Sequence, residues 1–246
     1  MKRRDCMRCF YYLLLTLLCC AGLSAKTKKA VYIIIDGVPA DQIERLHPSA
    51  IFDIASRGAY GRAYTGGEIG GYSQTATISA IGYTNLLTST WFNKHNVGGN
   101  SNLKPNYNYW TIFRIAKEQP EDYKTAIYSS WTDNRTVLIG EGKKETNNLK
   151  IDYVKDGYDL DTVRFPKKEK DLHIFDIDEQ ISKDAAAGIR KDAPDLIGFI
   201  CGTPTMRDIL PATAPFSMSM SGRLTTRLPV FGKLSSIGRP ISMKNG

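Results

Sequence analysis

A six-residue apolar run near the start of the chain constrains the fold more than any other feature. Ala30–Ile35 (AVYIII) is uninterrupted and rich in β-branched residues, and it ends at the turn-forming pair Asp36-Gly37. Strands that are buried on both faces of a parallel sheet have this continuous pattern, because helices cover both sides of such a sheet. The run therefore predicts the opening strand of an α/β domain.

Helical and strand patterns alternate along the rest of the chain. The 246 residues, of which 42% are hydrophobic, are enough for one α/β domain or at most two small ones. The alternation predicts a parallel sheet flanked by helices. The predicted helices are Ser49–Arg57, capped by Ser49 and closed by Gly58, then Ile78–Leu87 with its entering turn, Tyr109–Glu118 and Ile174–Arg190, and the further predicted strands are Thr125–Ser129 and Asp195–Ile200.

Residues 1–25 have the layout of a secretory signal peptide. Four basic residues lie among the first eight, and the uncharged run Cys9–Ala25 follows with a leucine-rich centre. At 17 residues this run is at the short limit for spanning a membrane, so an uncleaved anchor is the weaker alternative. A lipoprotein cut at Cys20 is also weaker, because Cys19 is a poor residue before the cut. We predict a periplasmic or secreted bacterial protein that leaves the membrane after cleavage. Only Cys201 lies outside this segment, so no internal disulfide is expected.

The net charge of +8 comes mostly from the last part of the chain. Residues 197–246 contain six basic residues and one acidic residue, and no stripe of basic and aromatic residues indicates nucleic-acid binding. This segment lacks tyrosine and its periodicity fades, which predicts either a poorly ordered basic tail or a shift of reading frame near Leu196. Nucleotides that can encode Gly198–Asp208 can, when read one base earlier, encode an Asp-x-x-Gly-His motif.

Two segments could carry chemistry. Asp36 follows the opening strand, and ligands of open α/β sheets bind at such strand ends. A carboxylate there can hold a cation, although Asp36-Gly37 is also typical of an ordinary turn. The second segment, Thr75–Gly99, places hydroxyl side chains on a turn into a helix, where the helix N-terminus favours anions. Ser79 is the favoured nucleophile and Thr77 the alternative, while a Ser/Thr-rich helix cap would need no catalytic role.

Together the two segments resemble the alkaline phosphatase superfamily, specifically its nucleotide pyrophosphatase/phosphodiesterase-like branch. That branch has a strand ending in Asp-Gly, then a nucleophilic Thr or Ser, a later Thr-Gly and a His-Gly. Here Ser79 precedes Thr88 by nine residues, and Thr88 precedes His95 by seven. Asn100 lies where some members place an asparagine that contacts the substrate. The resemblance spans about residues 29–196.

The resemblance implies an alkaline-phosphatase-like α/β fold, incomplete in this chain, and a metal-dependent phosphoesterase or phosphodiesterase that acts on a small phosphorylated substrate. Ser79 would be the catalytic nucleophile, and Asn100 would bind the substrate. Asp36 and Ser79 would ligate one of two divalent metal ions, for which zinc suits the expected Asp/His ligands. The sequence departs from the family at Ser89 and Asn96, where the family has glycine. A sulfatase is disfavoured, because the residues after Ser79 lack the Pro and Arg of the sulfatase motif.

The remaining metal ligands are missing from the sequence. The family takes them from an Asp-x-x-Gly-His segment, an Asp-His pair and a later His. This chain has only three histidines, His47, His95 and His173, and each is interpreted as structural. The chain as written is therefore predicted to be truncated and inactive. The alternative function is that of a catalytically dead anion-binding or interaction protein with the same fold.

Overall fold

The computed structural model describes residues 28–202. The predicted signal peptide and most of the predicted tail lie outside the described residues. Within them, no helix is long and apolar enough to cross a membrane. In chain order the elements are β1 Ala30–Ile35, α1 Ala40–Leu46, α2 Ser49–Arg57, α3 Ser79–Thr88, α4 Phe92–His95, α5 Ile112–Lys117, β2 Thr125–Ser129, a π-helical turn Asn134–Ile139, a 3₁₀ turn Lys144–Thr146, β3 Tyr153–Lys155, a 3₁₀ turn Glu169–Asp171, α6 His173–Asp192 and β4 Leu196–Cys201.

The strands of the described residues form one sheet in the order β1-β4-β2-β3, and every pair is parallel. Leu196, at the start of β4, lies opposite Ala30 on one side and Thr125 on the other. The predicted parallel sheet flanked by helices is confirmed. The last strand continues through Cys201, so the sheet extends beyond the boundary at residue 196 that composition suggested.

The strands β1 and β2 and the helix α2 have the limits that the sequence predicts. Ser49 is the first residue of α2 rather than its N-cap, because Pro48 takes the cap position with φ of −59°. The predicted helix Tyr109–Glu118 is shorter, since Thr111 caps α5 by accepting the backbone N–H of Arg114. The short elements α1, α4 and β3 have no counterpart in the prediction.

Two apolar layers cover the two faces of the sheet. On one face, Ile34, Ile127 and Ile200 pack with buried residues of α3, α5 and the π-helical turn. On the other face, Ile197 and Phe199 pack with the apolar stripe of α6. Side chains alternate between the faces along each strand, so β4 supplies both layers. Burial on both faces explains why these strands are continuous apolar runs.

Two glycines let aromatic rings lie directly on the backbone. A Cβ on Gly198 in β4 would lie 2.6 Å from Cζ of Phe113, and a Cβ on Gly188 in α6 would lie 1.9 Å from the hydroxyl of Tyr128. Both rings belong to the buried core, so they cannot swing aside without leaving a void. The missing side chains therefore allow α5 and α6 to pack closely on the sheet.

Candidate functional site

The carboxyl ends of β1, β2 and β4 meet at one edge of the sheet, because all the strands are parallel. Asp36 follows β1, and its backbone N–H donates to the carbonyl of Cys201 at 3.2 Å. Ser130 follows β2, and its backbone N–H donates to the carbonyl of Ile200 at 3.1 Å. We call this edge, formed by Asp36, Ser130 and Gly202, the carboxyl edge. These backbone hydrogen bonds fix the positions of the Cα atoms from which the side chains of the carboxyl edge extend.

Three donors hold the Asp36 carboxylate. The backbone N–H of Gly37 donates to Oδ1 at 2.8 Å. Both the Ser79 hydroxyl, at 2.6 Å, and the Tyr83 hydroxyl, at 2.8 Å, donate to Oδ2. Ser79 and Tyr83 lie one turn apart on α3, so their side chains share a face of the helix. The first turn of α3 therefore closes directly onto the end of β1.

Burial keeps the Tyr83 hydroxyl protonated. Removal from water raises the pKa of Tyr83 most strongly, and the negative charge of Asp36 and its hydrogen bond raise it further. Tyr83 therefore acts as a hydrogen-bond donor throughout the neutral range. Within residues 28–202, Asp36 has no lysine, arginine or histidine at ion-pair distance, so only neutral groups donate to it.

Ser79 is the hydroxyl residue that the fold brings to Asp36. It is the first residue of α3, after an extended N-cap at Ile78, and it is partly exposed. Thr77 lies before the helix, is exposed, and is not among the partners of Asp36. The geometry agrees with the preference for Ser79 over Thr77, whereas the role of Ser79 as nucleophile stays a prediction.

Asn100 also reaches the start of α3. Its Oδ1 accepts the backbone N–H of Ala80 at 3.0 Å, which satisfies one of the N–H groups that a helix start leaves without an intrahelical partner. This bond orients the side-chain amide, while the residue as a whole is exposed. Among the residues to which the sequence assigns a role, Asp36 and Ser79 are thus hydrogen-bonded to each other, and Asn100 binds the backbone of the residue after Ser79.

The architecture around this cluster has known counterparts. The fold of this chain is similar to part of phosphonoacetate hydrolase. The enzyme from Sinorhizobium meliloti 1021, in complex with phosphonoacetate, matches with a TM-score of 0.59 and 15% identity over 87% of this chain and 54% of that chain. Its complex with phosphonoformate matches with a TM-score of 0.57 and 14% identity over the same shares. No protein-family model and no curated protein sequence matches.

The alkaline-phosphatase-like α/β fold is confirmed by this similarity. The chain spans about half the length of the phosphonoacetate hydrolase chains that it matches. At 15% identity the likeness establishes the arrangement of helices and strands, and it leaves substrate and mechanism to be argued from the residues of this chain.

Ser89 and Asn96 keep the backbone shape that glycine would favour. Ser89 has φ of 54° and Asn96 has φ of 60°, both in the left-handed region, and each ends a helix. Asparagine tolerates this region better than most residues, while serine pays a small strain. The turns after α3 and α4 therefore keep a left-handed backbone conformation although Ser89 and Asn96 replace the glycines of the family pattern.

The histidines have structural surroundings. His95 is buried, its Nδ1 accepts the backbone N–H of Val97 at 3.1 Å, and its Nε2 lies 2.7 Å from the amide of Asn85. Burial lowers the pKa of His95 to about 4, so the ring is neutral at pH 7. His47 is exposed and stacks on a phenylalanine, and Nδ1 of His173 accepts a backbone N–H at 3.5 Å.

Asp178 is a buried carboxylate at the carboxyl edge to which the sequence analysis gives no role. It accepts hydrogen bonds from the Ser130 hydroxyl and, at 3.1 Å, from the backbone N–H of Gly202. Its charge contributes to the raised pKa of Tyr83, after burial and Asp36. The sequence does contain a signal for Asp178, because this residue lies on the same buried, mostly apolar face of α6 as Ile177 and Ile181. A charged residue on such a stripe indicates a specific partner.

The described residues do not complete a metal centre. Two of the implied ligands, Asp36 and the Ser79 oxygen, lie together. Across residues 28–202, however, no group of three His, Cys, Asp or Glu side chains is arranged to hold a metal ion. A structural zinc takes four protein ligands and a catalytic zinc commonly takes three. The two-metal site implied by the family resemblance is therefore not built from this part of the chain.

Proposed function

We propose that this chain carries the nucleophile and phosphoryl-binding part of a hydrolase that acts on small phosphorylated substrates. The hydrogen bond between Ser79 Oγ and Asp36 Oδ2, at 2.6 Å and across 43 positions of sequence, is the observation that carries the proposal. It places a hydroxyl at a helix N-terminus beside the strand ends where α/β sheets bind ligands. The fold shared with phosphonoacetate hydrolase supports this reaction class, and the spacing from Ser79 through Asn100 supports the nucleotide pyrophosphatase/phosphodiesterase-like branch.

In this proposal Ser79 Oγ attacks phosphorus while its proton passes to Asp36 Oδ2. The bond between phosphorus and the leaving group breaks, the leaving group takes the bonding electron pair, and the phosphoryl group stays on Ser79 until water displaces it. Asn100, whose Oδ1 is held by Ala80, has an Nδ2 group that can donate to a non-bridging phosphoryl oxygen.

Two divalent ions, zinc by their expected ligands, would neutralise the substrate charge in an intact enzyme of this kind. Asp36 and Ser79 would contribute to one of them. Because residues 28–202 leave that ligand shell incomplete, we expect negligible turnover of phosphate monoesters and diesters by the chain as given.

Vanadate binding tests the proposal without requiring turnover. Orthovanadate becomes five-coordinate when a hydroxyl oxygen binds it and so resembles the transition state, whereas sulfate stays tetrahedral. We expect the purified full chain to bind vanadate about tenfold more tightly than sulfate, and Ser79→Ala to remove this preference. Thr77→Val is the matched control and should keep it.

Retention of the vanadate preference in Ser79→Ala, or its loss in Thr77→Val, would show that Ser79 is not the nucleophile. Turnover of nitrophenyl phosphate with added zinc, abolished by Ser79→Ala, would support the nucleophile and contradict the expected inactivity.

The incomplete ligand shell favours a second candidate, a catalytically dead anion-binding protein of the same fold. Such a protein would bind sulfate and vanadate equally, because no covalent bond to Ser79 would form. The same measurement therefore separates the two functions.

We also propose that the protein is exported, on the basis of the basic start and the apolar run Cys9–Ala25. N-terminal sequencing of protein from the periplasm or medium should begin near Lys26. Recovery of chains that start at Met1, in the cytoplasm alone, would contradict export.

A further inference from the structure

Two hydroxyl groups of α3 converge on a single carboxylate oxygen. A carboxylate offers about four acceptor positions, two on each oxygen. Ser79 and Tyr83 fill both positions on Oδ2 of Asp36, and the Gly37 backbone N–H fills one on Oδ1. The Asp36 side chain is therefore held from both oxygens and cannot rotate without breaking one of these bonds.

The Tyr83 ring itself has little freedom. Only 5% of Tyr83 is exposed, and its ring packs with Ile34 of β1 and Leu87 of α3 in the core layer above the sheet. Its hydroxyl is thus presented to Asp36 by a rigid support. The Ser79 side chain, by contrast, is partly exposed, and its hydroxyl is held by the bond to Asp36 and by its contact with the Tyr83 hydroxyl.

We propose that Tyr83 is a positioning residue that fixes the direction of the Ser79 hydroxyl through Asp36. Tyr83 holds one side of Oδ2, so the remaining acceptor position on that oxygen faces Ser79. Loss of the Tyr83 hydroxyl would open that position to water and let the carboxylate turn, and Ser79 Oγ would then sample several rotamers. This inference rests on the proposed function, because it assigns Tyr83 a purpose at the same nucleophile.

Tyr83→Phe removes the hydroxyl and keeps the ring. Tyr107→Phe is the matched control, since the Tyr107 hydroxyl donates to the carbonyl of Val137 rather than to Asp36. In the full chain with isotope-labelled serine, NMR couplings should show one χ1 rotamer of Ser79 in the unchanged protein and in Tyr107→Phe. Averaged couplings are expected in Tyr83→Phe.

Anion binding gives a second readout. Vanadate needs an aligned Ser79 oxygen, while sulfate does not. Tyr83→Phe should therefore weaken vanadate binding about fivefold to tenfold, the effect of one lost hydrogen bond, and leave sulfate binding within about twofold. General loosening of the fold would weaken both anions alike.

The outcomes separate the two ideas. If Ser79→Ala keeps the vanadate preference, the proposed function fails, and the Ser79 couplings still decide the role of Tyr83. If Ser79→Ala loses the preference but Tyr83→Phe keeps both the preference and the single rotamer, the positioning role is wrong. Should Tyr83→Phe not fold, hydrogen exchange of the Tyr83 hydroxyl in the unchanged protein decides, since a hydroxyl bound to Asp36 exchanges slowly and rapid exchange overturns the inference.

Discussion

The carboxylates at the two ends of the sheet have different kinds of partner. At the amino ends of the strands, Asp195 accepts Lys29 Nζ at 2.8 Å, and Asp152 accepts Lys117 Nζ at 3.1 Å. Backbone N–H groups complete both sites, from Lys124 to Asp195 at 2.9 Å and from Thr125 to Asp152 at 2.8 Å. We call this end the amino edge. Each of these carboxylates has a cation beside it.

At the carboxyl edge, the donors to Asp36 within residues 28–202 are neutral. Asp36 accepts from two hydroxyls and a backbone N–H, and Asp178 accepts from a hydroxyl and a backbone N–H. Both negative charges lie near enough to Tyr83 to raise its pKa. Carboxylates paired with cations stabilise the fold, whereas we expect the charge of Asp36, which neutral groups hold, to be available to a ligand. Under the proposed function, Asp152 and Asp195 are structural acids and Asp36 is a functional one.

Replacing an aspartate by asparagine should change the free energy of unfolding much more at the amino edge than at the carboxyl edge, and this is the largest difference that we expect. Asp152→Asn removes the nearer and less exposed of the two carboxylates beside the Lys117 ammonium, which is only 21% exposed, and leaves it the exposed Asp122 at 3.5 Å. We expect a loss of about 2 kcal/mol in the free energy of unfolding. Asp36→Asn leaves no lysine or arginine of residues 28–202 unpaired, because the donors to Asp36 are neutral. Its loss should stay below about 1 kcal/mol.

Urea denaturation of the two variants and the unchanged chain measures this difference. Equal losses at both edges, or a larger loss for Asp36→Asn, would end the distinction between structural and functional carboxylates.

Acid should remove the stability that the two carboxylates of the amino edge contribute. Burial alone would raise the pKa of Asp152 and of Asp195, but hydrogen bonds and the charges of Lys117 and Lys29 outweigh it, and both pKa values lie below the ordinary value. A lowered pKa contributes stability that is present above the unfolded-state pKa of about 3.9 and is lost as pH falls through the folded-state value.

Thermal melting between pH 7 and pH 3 should therefore show a steep decline of stability below about pH 4. In the double variant Asp152→Asn with Asp195→Asn, we expect a lower stability at pH 7 and a shallower decline of stability as the pH falls. An unchanged acid limb in the double variant would mean that other groups control acid unfolding.

The sequence predicts some parts of this structure and not others for physical reasons. Buried parallel strands carry uninterrupted apolar runs, so β1 and β2 are visible without a structure. The motif spacing predicts a site that includes Asp36 and Ser79, and the structure brings these two residues together. The edge strand β3 has two partly exposed residues and one exposed residue, and no such run. The π-helical turn depends on a bond from Gly140 N–H to the carbonyl of Arg135, which no residue pattern specifies.

The hydrogen bond between Tyr83 and Asp36 is also a feature that no residue pattern specifies. A tyrosine four residues after Ser79 lies on the same helix face, but nothing local shows that its hydroxyl meets a carboxylate 47 positions earlier. Asp178 is different, because a charged residue on the apolar stripe of α6 is visible in the sequence once the helix is recognised.

The smallest effect should come from the exposed half of the amino edge. Lys29 bonds Asp195 and the carbonyl of Ala193, but its side chain is 34% exposed, so water and salt screen the pair. We expect Lys29→Met to cost about 0.5 kcal/mol of unfolding free energy at low salt, and this cost to shrink in about 1 M potassium chloride. Asp195 keeps its bond from the Lys124 backbone N–H, which salt does not remove. Lys117→Met, which takes away a less exposed ammonium, should cost more and depend less on salt. Urea denaturation at both salt concentrations measures the two variants. If Lys29→Met and Lys117→Met cost the same unfolding free energy at high salt, burial does not determine how much each ion pair of this edge contributes to stability.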